Sequence, residues 1–325
     1  MKIAILDDYQ DVVQHLDVFK LLDGEEVKIL TTPFASEQEL AEALAPFDVW
    51  VLIRERTRIT ESLLRQCPNL KLISQTGKVS NHIDVDLCHR YGVEVAEGVG
   101  SPIAPAELCW GLIMATYRAI PQYIHQFQHG QWQQNGLLGL GRVLAEQTIG
   151  IWGYGKIGQK IAQYAQAFGM SVLVWGSEAS RALAEQHGFI PAPTREAFFQ
   201  KADIISLHLR LNESTREIVT YQDLSIMKPD SLLVNTSRAE LVEPQALYRV
   251  LSECPTRFAA VDVYEQEPCD ASTEALLTLP NAVCTPHIGY VEKQSYELYF
   301  QHAFANVVAF VSGAPTNLVP HQETK

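Results

Sequence analysis

A glycine-rich segment in mid-chain constrains the fold of this protein more than any other feature. Residues 150–158 read Gly-Ile-Trp-Gly-Tyr-Gly-Lys-Ile-Gly, with the spacing G-x-G-x-x-G. Between a strand and a helix, the first glycine permits a tight turn, the second lets the backbone approach a pyrophosphate, and the third lets helix and strand pack closely. Amides at the helix N-terminus then bind the anion. The segment predicts a dinucleotide site at Gly153, Tyr154, Gly155, Lys156, Ile157 and Gly158.

The flanking residues favour this interpretation over an ordinary glycine-rich turn. An apolar stripe at helical spacing follows the motif and comprises Ile157, Ile161, Ala165 and Phe168. Gly169 is a typical helix stop, and Val172–Trp175 has the composition of the next buried strand. The segment therefore predicts one complete βαβ unit.

Length and composition exclude several classes of protein. A chain of 325 residues with 47% hydrophobic content can bury a large core, and its length suggests two domains. Residues 108–117 form the longest apolar stretch, which is too short to span a bilayer, and the N-terminus lacks a signal-peptide pattern. The six cysteines include no C-x-x-C pair, so free thiols in a reducing compartment are expected. These features predict a cytoplasmic protein, and a net charge of −13 argues against nucleic acid as a partner.

Strands and helices alternate along the whole chain. Before residue 100 we predict strands at Lys2–Leu6, Val27–Leu30, Val49–Ile53, Lys71–Ser74 and Val93–Val95. A second series starts at Thr148 and continues with strands at Asp203–Leu209, Leu232–Thr236, Phe258–Val263 and Ala282–Thr285. A buried helix is predicted over residues 105–120, an arm or loop around Gly136, Gly139 and Gly141, and a helix over 292–311.

This pattern predicts an α/β protein with two doubly wound parallel-sheet domains. We expect a Rossmann dinucleotide-binding domain over residues 101–290. We expect it to be inserted in a flavodoxin-like substrate domain made of residues 1–100 and 291–325.

Three polar residues follow the later strands, where ligands gather in such sheets. Arg238 closes the segment Asn-Thr-Ser-Arg, Glu267 precedes a proline, and His287 lies in Thr-Pro-His-Ile-Gly. Taken singly, each has an ordinary structural reading, as a helix-start charge, a turn residue and a strand-end histidine. Their order behind a nucleotide turn favours a catalytic set.

With these motifs, the sequence resembles the D-isomer-specific 2-hydroxyacid dehydrogenase family over essentially its whole length. The resemblance implies that Arg238 binds the substrate carboxylate and polarises its carbonyl, that His287 is the acid/base, and that Glu267 orients the histidine. It also places Asp262 against the nicotinamide carboxamide, with a capping or structural role as the alternative. Thr236 and Gly289, within the same motifs, and His208, which closes an apolar strand, are assigned with it to cofactor binding; a packed histidine is the alternative for His208.

These roles agree with elementary chemistry. A 2-oxo acid has a carboxylate beside its reducible carbonyl, so one guanidinium can bind the first while polarising the second. Imidazole is the side chain that changes charge near neutral pH, and a carboxylate on its second nitrogen selects its tautomer.

The end of the second cofactor-domain strand bears on the choice of cofactor. NAD-binding folds usually carry Asp or Glu there to bind the ribose 2′-hydroxyl, whereas this chain has Trp175-Gly176-Ser177. Ser177 and Arg181 are candidates to bind a 2′-phosphate, so we predict NADP, with NAD as the alternative if Glu178 binds the ribose.

The predicted substrate loop departs from the family pattern. Residues 77–84 read Gly-Lys-Val-Ser-Asn-His-Ile-Asp, so that Val79 replaces a second glycine and Lys78 adds a cation. We predict that Lys78 and Val79 bind substrate, with Lys78 meeting a second acidic group on it, and a surface salt bridge is the alternative for Lys78. The resemblance implies substrate binding for Arg54 as well. Tyr290 also stands where relatives usually have glycine, so these departures affect the choice of substrate and leave the predicted reaction unchanged.

The sequence predicts an NAD(P)-dependent oxidoreductase as the first of three functions, and Arg238, Glu267 and His287 argue against the second, which lacks hydride chemistry. The first is reduction of a small 2-oxo acid such as glyoxylate or hydroxypyruvate to the D-hydroxy acid. The second is a nucleotide-sensing, corepressor-like interaction protein, and the third is a formate- or phosphite-type dehydrogenase. A homodimer is implied by the resemblance, through the cofactor domain and an arm over residues 132–141. No metal site is predicted, since His125 and His129 have helical ligand spacing but no third ligand.

Overall fold

The computed structural model describes residues 1–136 and 139–320. The described strands are β1 (Lys2–Ile5), β2 (Glu26–Ile29), β3 (Val49–Leu52), β4 (Leu72–Gln75), β5 (Glu94–Ala96), β6 (Thr148–Trp152), β7 (Ser171–Trp175), β8 (Ile190–Pro191), β9 (Ile204–Leu207), β10 (Leu232–Asn235), β11 (Phe258–Val261) and β12 (Ala282–Cys284). The described helices are α1 (Glu37–Leu44), α2 (Glu61–Gln66), α3 (Val85–Arg90), α4 (Ile103–Tyr117), α5 (Ile120–Gln128), α6 (Lys156–Ala167), α7 (Glu178–Gln186), α8 (Arg195–Lys201), α9 (Tyr221–Ser225), α10 (Ala246–Glu253) and α11 (Lys293–Val311).

The chain divides into two compact units. The first comprises Met1–Ser101 and the segment that begins at Val291, and the second comprises Pro102–Tyr290. The second unit is therefore inserted in the sequence of the first.

The first unit has a five-stranded parallel sheet in the order β2-β1-β3-β4-β5. Its central strands are buried along their whole length, as expected for a parallel sheet covered on both faces. Helix α11 packs against β4 and against the 3₁₀ segment Asp17–Leu22. The C-terminal helix therefore completes this unit.

The second unit has a seven-stranded parallel sheet in the order β12-β11-β10-β9-β6-β7-β8. Alternate residues of a strand face opposite sides of the sheet. Accordingly, Ile149 and Ile151 of β6 belong to one apolar cluster, whereas Trp152 belongs to another. The predicted fold class, two doubly wound parallel-sheet domains, is confirmed.

The helix predicted over residues 105–120 is interrupted. Helix α4 ends at Tyr117, and α5 begins at Ile120 after Ala119, which has a left-handed φ of 49°. Helix α4 buries many of its residues, whereas none of α5 is fully buried. Pro121, in the first turn of α5, is the sequence signal for this second helix start, and the prediction did not use it.

Candidate active site

The glycine motif forms the predicted strand–turn–helix unit between β6 and α6. A Cβ on Gly153, whose φ is 99°, would lie 2.5 Å from the carbonyl oxygen of His208, and one on Gly158 would lie 2.2 Å from the carbonyl oxygen of Gly153. A Cβ on Gly155, the exposed N-cap of α6, would meet no atom within 4 Å. Two of the glycines are therefore required for packing, and Gly155 leaves open space beside the helix N-terminus, as the pyrophosphate of a dinucleotide would need.

The residues between these glycines differ in how far their side chains are buried. The Tyr154 ring is buried, and its hydroxyl lies 3.0 Å from Nδ1 of His187. Lys156 is exposed and Ile157 is half-buried. Only the backbone of Tyr154 is thus available to a ligand.

The motif lies where the strand order reverses. Strand β6 is flanked by β9 on one side and by β7 on the other, and ligands of open α/β sheets bind at such a point. His208 follows β9, with Nε2 2.9 Å from Oγ of Ser206. Burial lowers the pKa of His208 to about 4, so its imidazole is neutral at physiological pH. Thr236 follows β10, the next strand of the sheet.

The end of β7 carries no carboxylate at the usual ribose position. Gly176 follows Trp175 with a φ of 150°, a conformation that side-chain-bearing residues rarely adopt. Ser177 caps α7, since its Oγ accepts the N–H of Ser180 at 3.2 Å. The Arg181 guanidinium carbon lies 4.9 Å from the centroid of the Trp175 ring. Stacking of this kind leaves the guanidinium N–H donors free to bind other groups.

The segment Asn-Thr-Ser-Arg forms a turn braced by its own side chains. Asn235 donates from Nδ2 to the carbonyl of Arg238 at 2.8 Å, and its Oδ1 accepts the N–H of Ser237 at 3.1 Å. Ser237 donates from Oγ to the carbonyl of Leu207 on the neighbouring strand at 2.7 Å. The motif thus fixes the backbone from which the half-buried Arg238 side chain extends.

Glu267 and His287 form a pair at the ends of neighbouring strands. Oε2 of Glu267 lies 2.6 Å from Nδ1 of His287, and Oε1 accepts the N–H of Tyr264 at 2.9 Å. The two side chains are 32% and 24% exposed, respectively, so the pair is accessible without being fully solvated. Since β10, β11 and β12 are adjacent and parallel, Arg238, Glu267 and His287 follow carboxyl ends at the same edge of the sheet. The backbone anchor at Tyr264 carries no side-chain signal and was not predicted.

Asp262 holds the loop that carries His287. Its Oδ1 accepts the Thr285 hydroxyl at 2.6 Å and the N–H of Ile288 at 2.8 Å, and its Oδ2 accepts the N–H of Gly289 at 2.8 Å. His287 lies within this loop at a left-handed φ of 51°. Burial raises the pKa of Asp262, and the hydrogen bonds oppose that rise. This geometry agrees with the structural role that was the alternative for Asp262, and Gly289 contributes its amide to the same network.

Tyr290 packs against the histidine. Its ring is perpendicular to that of His287, with the centroids 5.6 Å apart, and the residue is 7% exposed. A glycine at this position would leave that side of the imidazole uncovered.

The predicted substrate residues lie at the carboxyl edge of the five-stranded sheet in the first unit. Arg54 has a left-handed φ of 53°; its N–H donates to Oγ1 of Thr76 at 3.0 Å, and its carbonyl accepts Nε2 of Gln75 at 2.8 Å. Its guanidinium carbon lies 5.5 Å from the Tyr299 ring centroid. A Cβ on Gly77 would lie 2.1 Å from Nη1 of Arg54, so glycine leaves room for the guanidinium.

Lys78 and Val79 contact a carboxylate of the protein. Lys78 forms a salt bridge with Glu97, and the other Glu97 oxygen accepts the N–H of Val79 at 3.3 Å. The salt bridge was the alternative interpretation of Lys78, and Glu97 was not identified from the sequence. Its only sequence signal was its position directly after β5.

A metal site is not formed by the described residues. Within residues 1–136 and 139–320, no three His, Cys, Asp or Glu side chains are grouped so that they could hold an ion. Over the same ranges, no helix has the length and apolar character needed to cross a membrane.

Comparison with known proteins identifies the family. Residues 110–289 match the family model described as D-isomer specific 2-hydroxyacid dehydrogenase, NAD binding domain. A crystal structure of phosphoglycerate oxidoreductase from Vibrio cholerae O395 is 63% identical, with a TM-score of 0.96 over 97% of this chain and 100% of that one.

This chain covers different shares of the length of two curated relatives. The hydroxypyruvate reductase of Thermotoga maritima is 33% identical over 83% of this chain and 86% of the relative. The D-3-phosphoglycerate dehydrogenase of Methanocaldococcus jannaschii is 34% identical over 85% of this chain, which spans only 52% of that relative. The family match and the identity across nearly the whole hydroxypyruvate reductase lead to one conclusion: this chain belongs to the D-isomer-specific 2-hydroxyacid dehydrogenase family.

Proposed function

We propose that this protein is an NAD(P)-dependent reductase that converts a small 2-oxo acid, such as glyoxylate or hydroxypyruvate, to the D-2-hydroxy acid. The observation that carries the proposal is the pair of Glu267 and His287, anchored through Tyr264 at the end of β11. A sensor protein needs no such pair, because an acid/base group serves turnover and not binding. A hydroxypyruvate reductase among the relatives is consistent with this substrate class.

In the proposed mechanism, Arg238 binds the substrate carboxylate and polarises the adjacent carbonyl. The braced turn of Asn235 and Ser237 limits the movement of the Arg238 backbone, which favours a single orientation of the acid. Bound nicotinamide supplies the hydride that reduces the carbonyl carbon.

His287 supplies the proton in this mechanism. Its Nδ1 donates to Glu267, so Nε2 is the nitrogen that faces away from the carboxylate and is available to protonate the carbonyl oxygen. The imidazole is neutral after that transfer and takes up a proton from solvent before the next turnover. Arg54, Lys78 and Val79 are proposed as further substrate-binding residues.

The cofactor site is proposed to comprise Gly153–Gly158, Ser177, Arg181, His208, Thr236, Asp262 and Gly289. Open space at Gly155 supports this assignment. We propose NADP in preference to NAD, because the Gly176 backbone disfavours an acidic residue and the Arg181 guanidinium is stacked on Trp175 beside Ser177. NAD remains the alternative through Glu178 in the first turn of α7.

A second copy of the chain is proposed as the partner. Helix α5 and the segment after it expose large apolar side chains, which are Ile120, Ile124, Phe127, Trp132, Leu140 and Val143. The rings of Phe127 and Trp132 lie 5.6 Å apart. Exposed apolar groups of this extent favour an interface. Within the predicted arm over 132–141, residues 137–138 lie outside the described part of the chain.

Light scattering should give a dimer that Phe127→Ser with Trp132→Ser weakens; a monomeric wild type would contradict the proposal. We retain the cytoplasmic location as a prediction.

The proposed reaction is tested by following the oxidation of NADPH and NADH with glyoxylate, hydroxypyruvate, pyruvate and phenylpyruvate. We expect turnover with at least one of the first two acids and its loss in His287→Ala. Tight nucleotide binding without turnover of any acid would contradict the reductase and favour the sensor function.

A further inference from the structure

The loop after β4 already holds a carboxylate, which belongs to the protein itself. One oxygen of Glu97 pairs with Nζ of Lys78, and the other accepts the N–H of Val79. A cation beside an available backbone amide is a common arrangement for binding a carboxylate or a phosphate. The loop thus has the chemistry of an anion site, and Glu97 occupies it.

The backbone of Glu97 is fixed beside this loop. Its N–H donates to the carbonyl of Asn317 at 3.0 Å, and its carbonyl accepts Nδ2 of Asn306 at 3.2 Å. Its side chain is 28% exposed, and that of Lys78 is 67% exposed. An incoming acid can therefore displace the carboxylate from the Val79 amide, but the negative charge of Glu97 stays close to the loop.

The other cations at this edge of the sheet also have acidic neighbours. Nε of Arg54 lies 3.9 Å from Oε2 of Glu55. Arg56 donates to the backbone carbonyl of Asp7, and its charge opposes the rise that burial causes in the pKa of the Asp7 carboxyl. With Glu97 in place, Lys78 contributes little net positive charge. At this loop the positive charge of Lys78 and the negative charge of Glu97 nearly cancel for an acid that carries one negative charge. Each further negative charge on the acid adds repulsion from Glu97.

We propose that Glu97 is a specificity-determining residue that favours 2-oxo acids with a carboxylate alone over those that also carry a phosphate. The inference rests on the proposed reduction of 2-oxo acids and on binding of the acid at the Lys78–Val79 loop. It assigns this chain to unphosphorylated substrates, although one similar structure is described as a phosphoglycerate oxidoreductase.

The test compares hydroxypyruvate with its 3-phosphate ester, which have the same carbon skeleton. We expect wild type to have the higher kcat/KM for hydroxypyruvate at low ionic strength. Glu97→Gln should shift the ratio of the two kcat/KM values toward the phosphate ester by about tenfold, because one negative charge near the loop is removed. Added KCl should reduce this shift, since the pair is partly solvated.

Glu94→Gln is the matched control. Glu94 is the first residue of β5, the strand that Glu97 directly follows; its side chain is 42% exposed and its carboxylate lies 3.8 Å from His89. Its replacement removes the same charge from the opposite end of the strand, so the ratio should stay at the wild-type value. A ratio of two substrates on one protein is insensitive to the fraction of folded enzyme, and a purely structural role of Glu97 would not move it.

Calorimetric binding of both acids to the NADP⁺-saturated proteins separates this inference from the proposed reaction. If hydroxypyruvate binds but is not turned over by wild type, the reaction fails, and the ratio of dissociation constants then decides the role of Glu97. An unchanged ratio in Glu97→Gln, or binding of neither acid by either protein, would overturn the inference.

Discussion

Oε2 of Glu267 lies 2.6 Å from Nδ1 of His287, and the same carboxylate is anchored by the N–H of Tyr264. The two residues follow the neighbouring strands β11 and β12. The carboxylate therefore has a fixed direction before it contacts the imidazole, and the histidine presents one defined nitrogen to a ligand.

Replacement of Glu267 by Gln should lower kcat by roughly 10²-fold, because the amide neither selects the tautomer nor stabilises the imidazolium as a carboxylate does. The KM for the acid should change little. Steady-state kinetics of Glu267→Gln and of Glu265→Gln, an exposed neighbour, check this expectation. Equal rates in wild type and Glu267→Gln would remove Glu267 from the mechanism.

Replacement of Asp262 by Asn should loosen the loop from Thr285 to Gly289. The amide NH₂ would face a backbone N–H or a hydroxyl that now donates to the carboxylate, and a buried mismatch of this kind costs roughly 1–3 kcal/mol. We expect a lower free energy of unfolding in urea together with a lower kcat. Asp270→Asn is the control, because Asp270 also accepts an N–H, from Ser272 at 2.8 Å, but is exposed. A stable Asp262→Asn variant with full kcat would show that the loop does not depend on this carboxylate.

Two glycines of the nucleotide motif should respond differently to alanine. A Cβ on Gly158 meets backbone, so Gly158→Ala should lower stability markedly. A Cβ on Gly155 meets open space, so Gly155→Ala should change stability by less than about 1 kcal/mol, the scale of an N-cap effect. It should nevertheless weaken NADPH binding, measured by fluorescence titration. Unchanged affinity in Gly155→Ala would place the pyrophosphate elsewhere.

Arg181→Ala tests the proposed preference for NADP. Loss of a guanidinium bound to a 2′-phosphate should lower kcat/KM for NADPH by roughly tenfold or more while leaving that for NADH nearly unchanged. Kinetics with both cofactors at a fixed acid concentration give the ratio. If the ratio equals that of wild type, Arg181 serves only to cover Trp175.

Burial of His208 should make stability depend on pH. The pKa of His208 is lowered to about 4 in the folded protein, against about 6.5 for an unperturbed histidine. Between these values the unfolded chain binds a proton that the folded chain does not, so stability falls as the pH drops from 6.5 toward 4. Because part of the residue is exposed, we expect a loss of roughly 2 kcal/mol. Urea unfolding of wild type should show this extra loss relative to His208→Gln; parallel curves would contradict it.

Local patterns predicted most of the fold. The predicted strands begin and end within one or two residues of the observed ones, because continuous apolar runs bounded by turn residues are typical of buried parallel strands. The break between α4 and α5 was missed, although Pro121 in the first turn of α5 is a typical helix-start signal, because no glycine marks the left-handed Ala119 before it. The prediction of two doubly wound parallel sheets did not depend on that boundary.

By itself, the sequence determined the nucleotide turn and the order of Arg238, Glu267 and His287, because glycine spacing and residues that directly follow strands are local properties of a chain. Only the tertiary structure decided that Glu97 occupies the Lys78–Val79 loop, that Asp262 holds the loop of His287, and that Gln75 and Thr76 hold Arg54. These partners are separated in sequence and meet because adjacent strands end side by side. Sheet order and register establish such contacts, and the composition of a single segment determines neither of them.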